Sequence, residues 1–196
     1  MTIKDTSEPA LIYLGKNGLQ YYAKNLPAAI GFNFPPTLVK DLEIRNLEEL
    51  NSLIKSFITQ AKLSPTELLT IIGDDLCIQK DFPVTDKKDT DDLTVEQFVS
   101  AIPFDYIRTK TYRLGRSTKV LAVNRDFYEA VQTAFAKNGF TIGNTLLKSF
   151  PGSLIAGDIF GPALNKKLQD KQEWIKQNDF AGLTHAQTVA VDQQEK

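Results

Sequence analysis

Between residues 47 and 61 the side chains Leu47, Leu50, Leu53, Ile54, Phe57, Ile58 and Ala61 recur at the spacing of one helical stripe. Asn46 with Glu49 three residues on is the signature of a capping box at its start. A helix marked this clearly must bury its stripe, and its neighbours supply the partner. Residues 11–14 and 19–24 are strand-forming runs on either side of Gly15-Lys16-Asn17-Gly18, which predicts a β-hairpin. Residues 28–34 place Ile30, Phe32 and Phe34 on one face and stop at Pro35-Pro36, and residues 38–44 read as one more extended piece. Strands bracketing an amphipathic helix give a mixed α/β class.

The alternation continues along the chain. Residues 68–72 read as a buried strand, Gly73-Asp74-Asp75 as a turn, and residues 76–82 as a second strand closing at Pro83. Residues 86–92 read as a solvated charged loop, after which Thr94 with Gln97 opens a short helix bearing Val95, Phe98, Val99 and Ile102 until Pro103. Strands over 106–114 and 118–123 flank Gly115. Asn124 then caps a helix with Phe127, Val131, Ala134 and Phe135 on its apolar face, Gly139 ends it, and a strand resumes at 140–142. Beyond Pro151-Gly152 only Leu164, Leu168 and Ile175 make a thin stripe on a charged helix, and from Thr184 the tail is polar enough to predict disorder.

Charge excludes some functions. The 196 residues carry 23 Lys and Arg against 24 Asp and Glu, so no overall field draws in nucleic acid or an anionic membrane. The single cysteine, Cys77, lies in an apolar run and reads as a small buried hydrophobe in a reducing compartment. The first nine residues lack the basic start and apolar stretch of a secretory signal, and nothing approaches the ~20 apolar residues needed to cross a bilayer. The expected location is the cytoplasm, with any membrane contact made through a partner.

Candidate chemistry is sparse. The one histidine, His185, lies in the polar tail without a cysteine or carboxylate cluster beside it, which argues against a zinc site or a His–nucleophile pair. Asp74-Asp75 fits a conformational turn better than an acid/base pair, and residues 86–92 lack the central Gly and final Glu of a Ca²⁺ loop. Gly15-Lys16-Asn17-Gly18 lacks the frame of a phosphate-binding P-loop. One basic cluster remains: Arg108, Lys110, Arg113, Arg116 and Lys119, interleaved with Tyr106 and Tyr112. It reads as a charged sheet edge, or as a surface for an acidic peptide or phosphate headgroups. No catalytic residue, cofactor or metal is assigned.

Specific residues carry a family resemblance. Phe34-Pro35-Pro36, Val39, Asp41, Glu43-Ile44 and the stripe over 47–58 resemble the passage from first sheet to first helix in the PilM family, actin-like type IV pilus assembly proteins related to FtsA. Residues 68–82, with Gly73 at the turn, look like that family's next strand–turn–strand. Residues 93–143 resemble the small inserted subdomain shared with FtsA, including the Ile102-Pro103-Phe104 exit and the helix ending at Gly139. The similarity spans residues 11–150, the N-terminal half of the family.

The family's ATP site departs here. Its first phosphate hairpin should carry Asp-x-Gly-Ser or Asp-x-Gly-Thr with a following Lys, whereas Tyr13, Gly15, Lys16 and Gln20 stand at those positions. Without that carboxylate no Mg²⁺ and its water are organised. Asp158-Ile159-Phe160-Gly161 is a faint echo of the second phosphate loop, with Phe160 and Pro162 where small residues and free amides are wanted.

The resemblance implies a truncated actin-like, ribonuclease H-like lobe over 10–82, an inserted-type subdomain over 83–150, a helical segment over 151–183 and a disordered tail over 184–196. It implies a pseudo-ATPase adaptor without cofactor, holding the short cytoplasmic tail of a PilN-like inner-membrane protein between the lobes. Tyr106, Arg108, Tyr112 and Arg113 are the expected anchors, with Tyr112 and Arg113 dispensable for stability. The alternatives are a small enzyme using Asp74 or Asp75 with the 108–119 patch, and an actin-like protein that self-assembles into homo-oligomers.

Overall fold

A computed structural model describes residues 8–83 and 88–181. The first strands, β1 (Ala10–Gly15) and β2 (Gly18–Tyr22), form the expected hairpin, and β3 (Ile30–Asn33) adds antiparallel to β2. Glycine lets β2 and β3 approach, since a Cβ at Gly18 would lie 2.2 Å from the Phe32 carbonyl oxygen. The extended piece over 38–44 is instead a tight hairpin of β4 (Val39–Lys40) and β5 (Glu43–Ile44). Its two turn residues, Asp41 and Leu42, have φ of 53° and 60°, the left-handed region that a two-residue hairpin requires.

The stripe forms α1 (Leu47–Gln60). Asn46 caps it by accepting from the Glu48 and Glu49 amides, each at 3.0 Å. Leu50 and Ile54 are fully buried, but Leu47, at the first helical position, is 58% exposed. After β6 (Glu67–Ile72) a 3₁₀ turn at Asp74–Leu76 leads into β7 (Cys77–Pro83). The next helix, α2 (Lys88–Ser100), begins six residues before the expected Thr94, inside the segment read as a solvated loop. Then come β8 (Ile107–Leu114), β9 (Ser117–Asn124), α3 (Arg125–Ala136) and β10 (Thr141–Leu147). The C-terminal stripe is two short helices, α4 (Pro162–Gln169) and α5 (Gln172–Gln177).

The large sheet runs β10-β6-β1-β2-β3, with β1, β6 and β10 parallel and β2 antiparallel to both neighbours. It is a mixed sheet, as the expected α/β class requires. Its inner strands are buried on both faces, so they read as near-continuous apolar runs. Ala10, Ile12, Leu14, Leu68 and Ile72 face α1 and α3, while Leu11, Leu69, Ile71 and Leu146 face Leu164, Leu168 and Ile175 of α4 and α5. The C-terminal helices therefore complete the lobe. One polar node sits inside it: Gln132 of α3 donates to the Thr70 and Thr145 hydroxyls at 3.0 and 2.9 Å.

The small sheet runs β7-β9-β8, all antiparallel. Val95, Phe98 and Val99 of α2 pack on one face against Phe82 and Val120, and Leu121 and Val123 on the other face join the main core. The sheets therefore divide the chain at the Asp74–Leu76 turn and not at 82/83. β7 belongs to the small sheet because its register with β9 runs from Cys77 to Pro83, and β10 returns to the large sheet by pairing with β6. His185 and the tail over 184–196 lie outside the described residues, as does the middle of the 83–88 connection.

Candidate functional site

Because β1 and β6 are parallel, their C-terminal ends lie side by side, which is where α/β sheets bind ligands. Here the two turns close on each other. The Gly73 amide donates to the Leu14 carbonyl at 2.8 Å, and the Lys16 amide, at the tip of the hairpin, donates to Asp75 Oδ2 at 3.0 Å. A backbone N–H that a phosphate hairpin would offer to its ligand thus already holds a carboxylate of its own chain. Asp74 is engaged as well, accepting from the Ser149 hydroxyl at 3.0 Å.

Aromatic rings pack on one side of this end, and a cavity of about 450 Å³ lined by Tyr13, Gly15, Gln20 and Asp75 stays open beside it. Tyr13 packs against Phe160 with ring centroids 5.9 Å apart, and the Lys148 ammonium lies 5.4 Å from the Tyr13 centroid. Burial first, and then Asp75 and Asp74, push the Tyr13 hydroxyl above its ordinary pKa, so it stays neutral. The 158–161 loop reaches the hairpin. It brings Phe160 against Tyr13, ties Asp158 to Lys167 at 2.8 Å, and turns into α4 at Gly161-Pro162. Cys77, half-buried, points its thiol at the Gly73 carbonyl, and burial pushes its pKa up to about 12, which removes nucleophilic character at neutral pH.

The four expected anchors on and beside β8 do not share a surface. Strand alternation sends Arg108, Lys110 and Tyr112 to the side covered by the C-terminal segment. Arg108 donates to the Phe180 and Ala181 carbonyls at 3.4 and 2.7 Å. Tyr112 stacks on Phe150 at 5.5 Å, Phe150 stacks on Trp174 at 6.0 Å, and the Lys110 ammonium lies over both the Tyr112 and Phe150 rings. Lys110 is only 8% exposed; burial lowers its pKa, and Asp179 partly restores it. Tyr106 and Arg113 are exposed. Lys119 pairs with Asp81 at 2.8 Å, so the basic patch makes its contacts away from Asp74 and Asp75.

A different site emerges at the junction of the β4–β5 hairpin with α1, α3 and the loop before β8. A cleft of about 540 Å³ opens between β5, the start of α1, α3 and the loop entering β8. Asn124 builds its floor twice over: its Oδ1 accepts from the Asp126 amide to cap α3, and its Nδ2 donates to the left-handed Leu42 carbonyl, both at 3.0 Å. The Arg125 amide donates to the Tyr106 carbonyl at 2.9 Å, pinning the loop before β8 to the same helix end. Ile44, Leu47 and Ala130 supply apolar wall, and Glu43, Asp105, Asp126 and Glu129 supply carboxylates. Burial chiefly, then Glu129, raises the pKa of Asp126, against the opposing pull of Arg125. Sequence reading missed this site because its carboxylates come from three separate stretches, β5, the loop before β8 and α3. Among the described residues no three His, Cys, Asp or Glu side chains gather to share a metal ion, and no helix is long and apolar enough to cross a membrane.

No protein-family model matches the chain, and no curated protein matches it. Solved structures do. A PilM–PilN type IV pilus biogenesis complex aligns at 17% identity with a TM-score of 0.46, covering 72% of this chain and 47% of that one. The cytoplasmic domain of EpsL, an inner-membrane component of the type II secretion system of Vibrio cholerae, aligns at 12% identity and a TM-score of 0.40, covering 72% and 58%. A Bacteroides thetaiotaomicron protein with an actin-like ATPase fold and unknown function aligns at 9% identity and 0.38, covering 77% and 56%. The chain spans about half the length of the solved structures it matches.

Proposed function

We propose that this chain is a non-catalytic adaptor of a type IV pilus or related secretion machine, and that it holds the short cytoplasmic tail of a PilN-like inner-membrane protein. The observation that carries the reading is the junction cleft, walled by β5, α1, α3 and the loop before β8, whose lining includes Leu47, 58% exposed, with the equally exposed Tyr106 next in sequence to the lining residue Asp105. A groove with apolar anchors at its edge suits an extended peptide. The hairpin end supports the same reading, because Asp75 holds the Lys16 amide and Tyr13 stands where the resembled family's carboxylate would be. The kind of machine is taken from the sequence resemblance over residues 11–150.

Site-specific photocrosslinking in the source cell tests this. A benzophenone side chain at Leu47 is expected to capture the cytoplasmic segment of a membrane protein with a single span. The same group at Ile159, 88% exposed on the side of the sheet covered by α4, is expected to capture none. Capture of a second copy of this chain at Leu47 would favour self-assembly instead, and equal capture at both positions would remove the cleft from the account.

A further inference from the structure

We infer that the junction cleft selects a basic segment, an extended peptide whose Lys or Arg side chains lie along its carboxylates while an apolar residue seats against Ile44 and Leu47. This inference rests on the adaptor reading and adds the chemistry of the occupant. The chain as a whole is nearly neutral at −1, yet four carboxylates and one ammonium, Lys137, line this cleft. The imbalance is therefore local.

Two of the four are already tied down at the surface: Glu43 to Arg45 at 3.0 Å and Glu129 to Arg125 at 2.7 Å. Such exposed pairs are weak and exchange readily. Asp105 and Asp126 enter no salt bridge among the described residues. Asp105 and Asp126 are both exposed, and Arg125 offsets only part of the repulsion that Asp126 feels from Glu129 and Asp105, so a cation placed between the two gains a favourable contact with each.

The spread of these groups sets the size of the cation. No three of them come close enough to share a metal ion, and the space of about 540 Å³ is large for one ion but accommodates several side chains. Guanidinium and ammonium groups on a chain fit a spaced row of carboxylates beside apolar wall. A phosphate backbone would meet the same carboxylates with repulsion. The partner class agrees, because membrane proteins concentrate Lys and Arg in short cytoplasmic segments next to their spans.

The test uses the full chain and three fluorescein-labelled decapeptides of alternating Leu and a second residue, which is Arg, citrulline or Glu. Citrulline keeps the shape and hydrogen-bonding edge of Arg without its charge. Fluorescence anisotropy is expected to give saturable binding of the Arg peptide, roughly ten-fold weaker binding of the citrulline peptide and none of the Glu peptide, with several-fold weakening from 50 to 300 mM salt. Asp105→Asn combined with Asp126→Asn is expected to weaken the Arg peptide about ten-fold, and Asp105→Lys, on an exposed loop away from the α3 cap, should do the same without loss of melting temperature. Glu173→Gln, on α5, should change nothing. Equal binding of the Arg and citrulline peptides, or equal weakening by Glu173→Gln, would overturn the inference. If that occurs while crosslinking at Leu47 still captures a membrane-protein tail, the adaptor reading stands and only the charge selection fails.

Discussion

The tip of the β1–β2 hairpin and the cleft beside the β4–β5 hairpin are both places where this fold brings loops together beside parallel strand ends or helix starts, yet they are finished in opposite ways. At the hairpin every polar group named above has an internal partner: Lys16 N–H on Asp75, Ser149 on Asp74, and the Tyr13 ring against Phe160 and Lys148. At the cleft Asp105 and Asp126 face open space, and Leu47 leaves half its surface in water. A buried polar group left without a partner costs about 1–3 kcal/mol, so the internal partners at the hairpin stabilise its closed tip, beside which a cavity of about 450 Å³ stays open. The proposed function rests on the contrast between that tied tip and the unpaired carboxylates of the cleft.

Breaking the support beneath the cleft gives the largest expected effect. Leu50 and Ile54 stand one and two turns beyond Leu47 on the same helix, but they are fully buried in the core shared by both sheets. Leu50→Ala or Ile54→Ala should cost about 2–5 kcal/mol in denaturant unfolding. Leu47→Ala should stay within about 0.5 kcal/mol and lose only the crosslinked partner. A larger loss at Leu47 would place it in the core and remove it from the cleft.

Next comes the contrast within β8. Tyr112→Ala removes the ring stacked on Phe150 and should destabilise by about 2 kcal/mol, against the sequence-based expectation of an expendable anchor. Arg113→Ala, at an exposed position of the same strand, should be neutral within about 0.5 kcal/mol. Equal effects of the two would mean that the C-terminal segment does not cover that face.

Asn124 sharpens the comparison at smaller cost. Asn124→Ala removes the α3 cap and releases the Leu42 carbonyl, and should lose about 1–2 kcal/mol, while Asn124→Asp keeps an acceptor for the Asp126 amide but sets a carboxylate oxygen against the Leu42 carbonyl and should lose more than the loss of the donor alone. Thermal melts of the pair separate the two roles.

Local signals were the legible ones. The stripe of α1, its Asn46 cap, the first hairpin and the Asn124 cap each reside within a few residues, where side-chain spacing and backbone hydrogen bonding decide the outcome. Long-range pairing was not legible. Nothing in residues 141–147 announces that they run parallel to β6, and so the subdomain boundary was drawn too late for β7 and too far along for β10. Residues 88–92, part of the stretch 86–92 read as a solvated loop, carry more charge than apolar content, yet they lead into the part of α2 that is anchored by Val95, Phe98 and Val99. Arg108 read as a surface base because only strand alternation and a distant segment, Phe180-Ala181, reveal that it is covered. The cleft is invisible for the same reason, since residues 43, 105, 126 and 129 meet only once β5, the loop before β8 and α3 have packed together.

The most direct test of a closed hairpin beside an open cleft is one amide-resolved NMR titration of the ¹⁵N-labelled chain, first with Mg²⁺–ATP and then with the Arg decapeptide. The account predicts that the Lys16 and Gly73 amides stay in place up to millimolar nucleotide, and that peptide shifts Glu43, Ile44, Asp105 and Asp126 along a saturable curve. Saturable movement of the Lys16 amide at micromolar ATP, with the cleft residues unmoved by peptide, would contradict it.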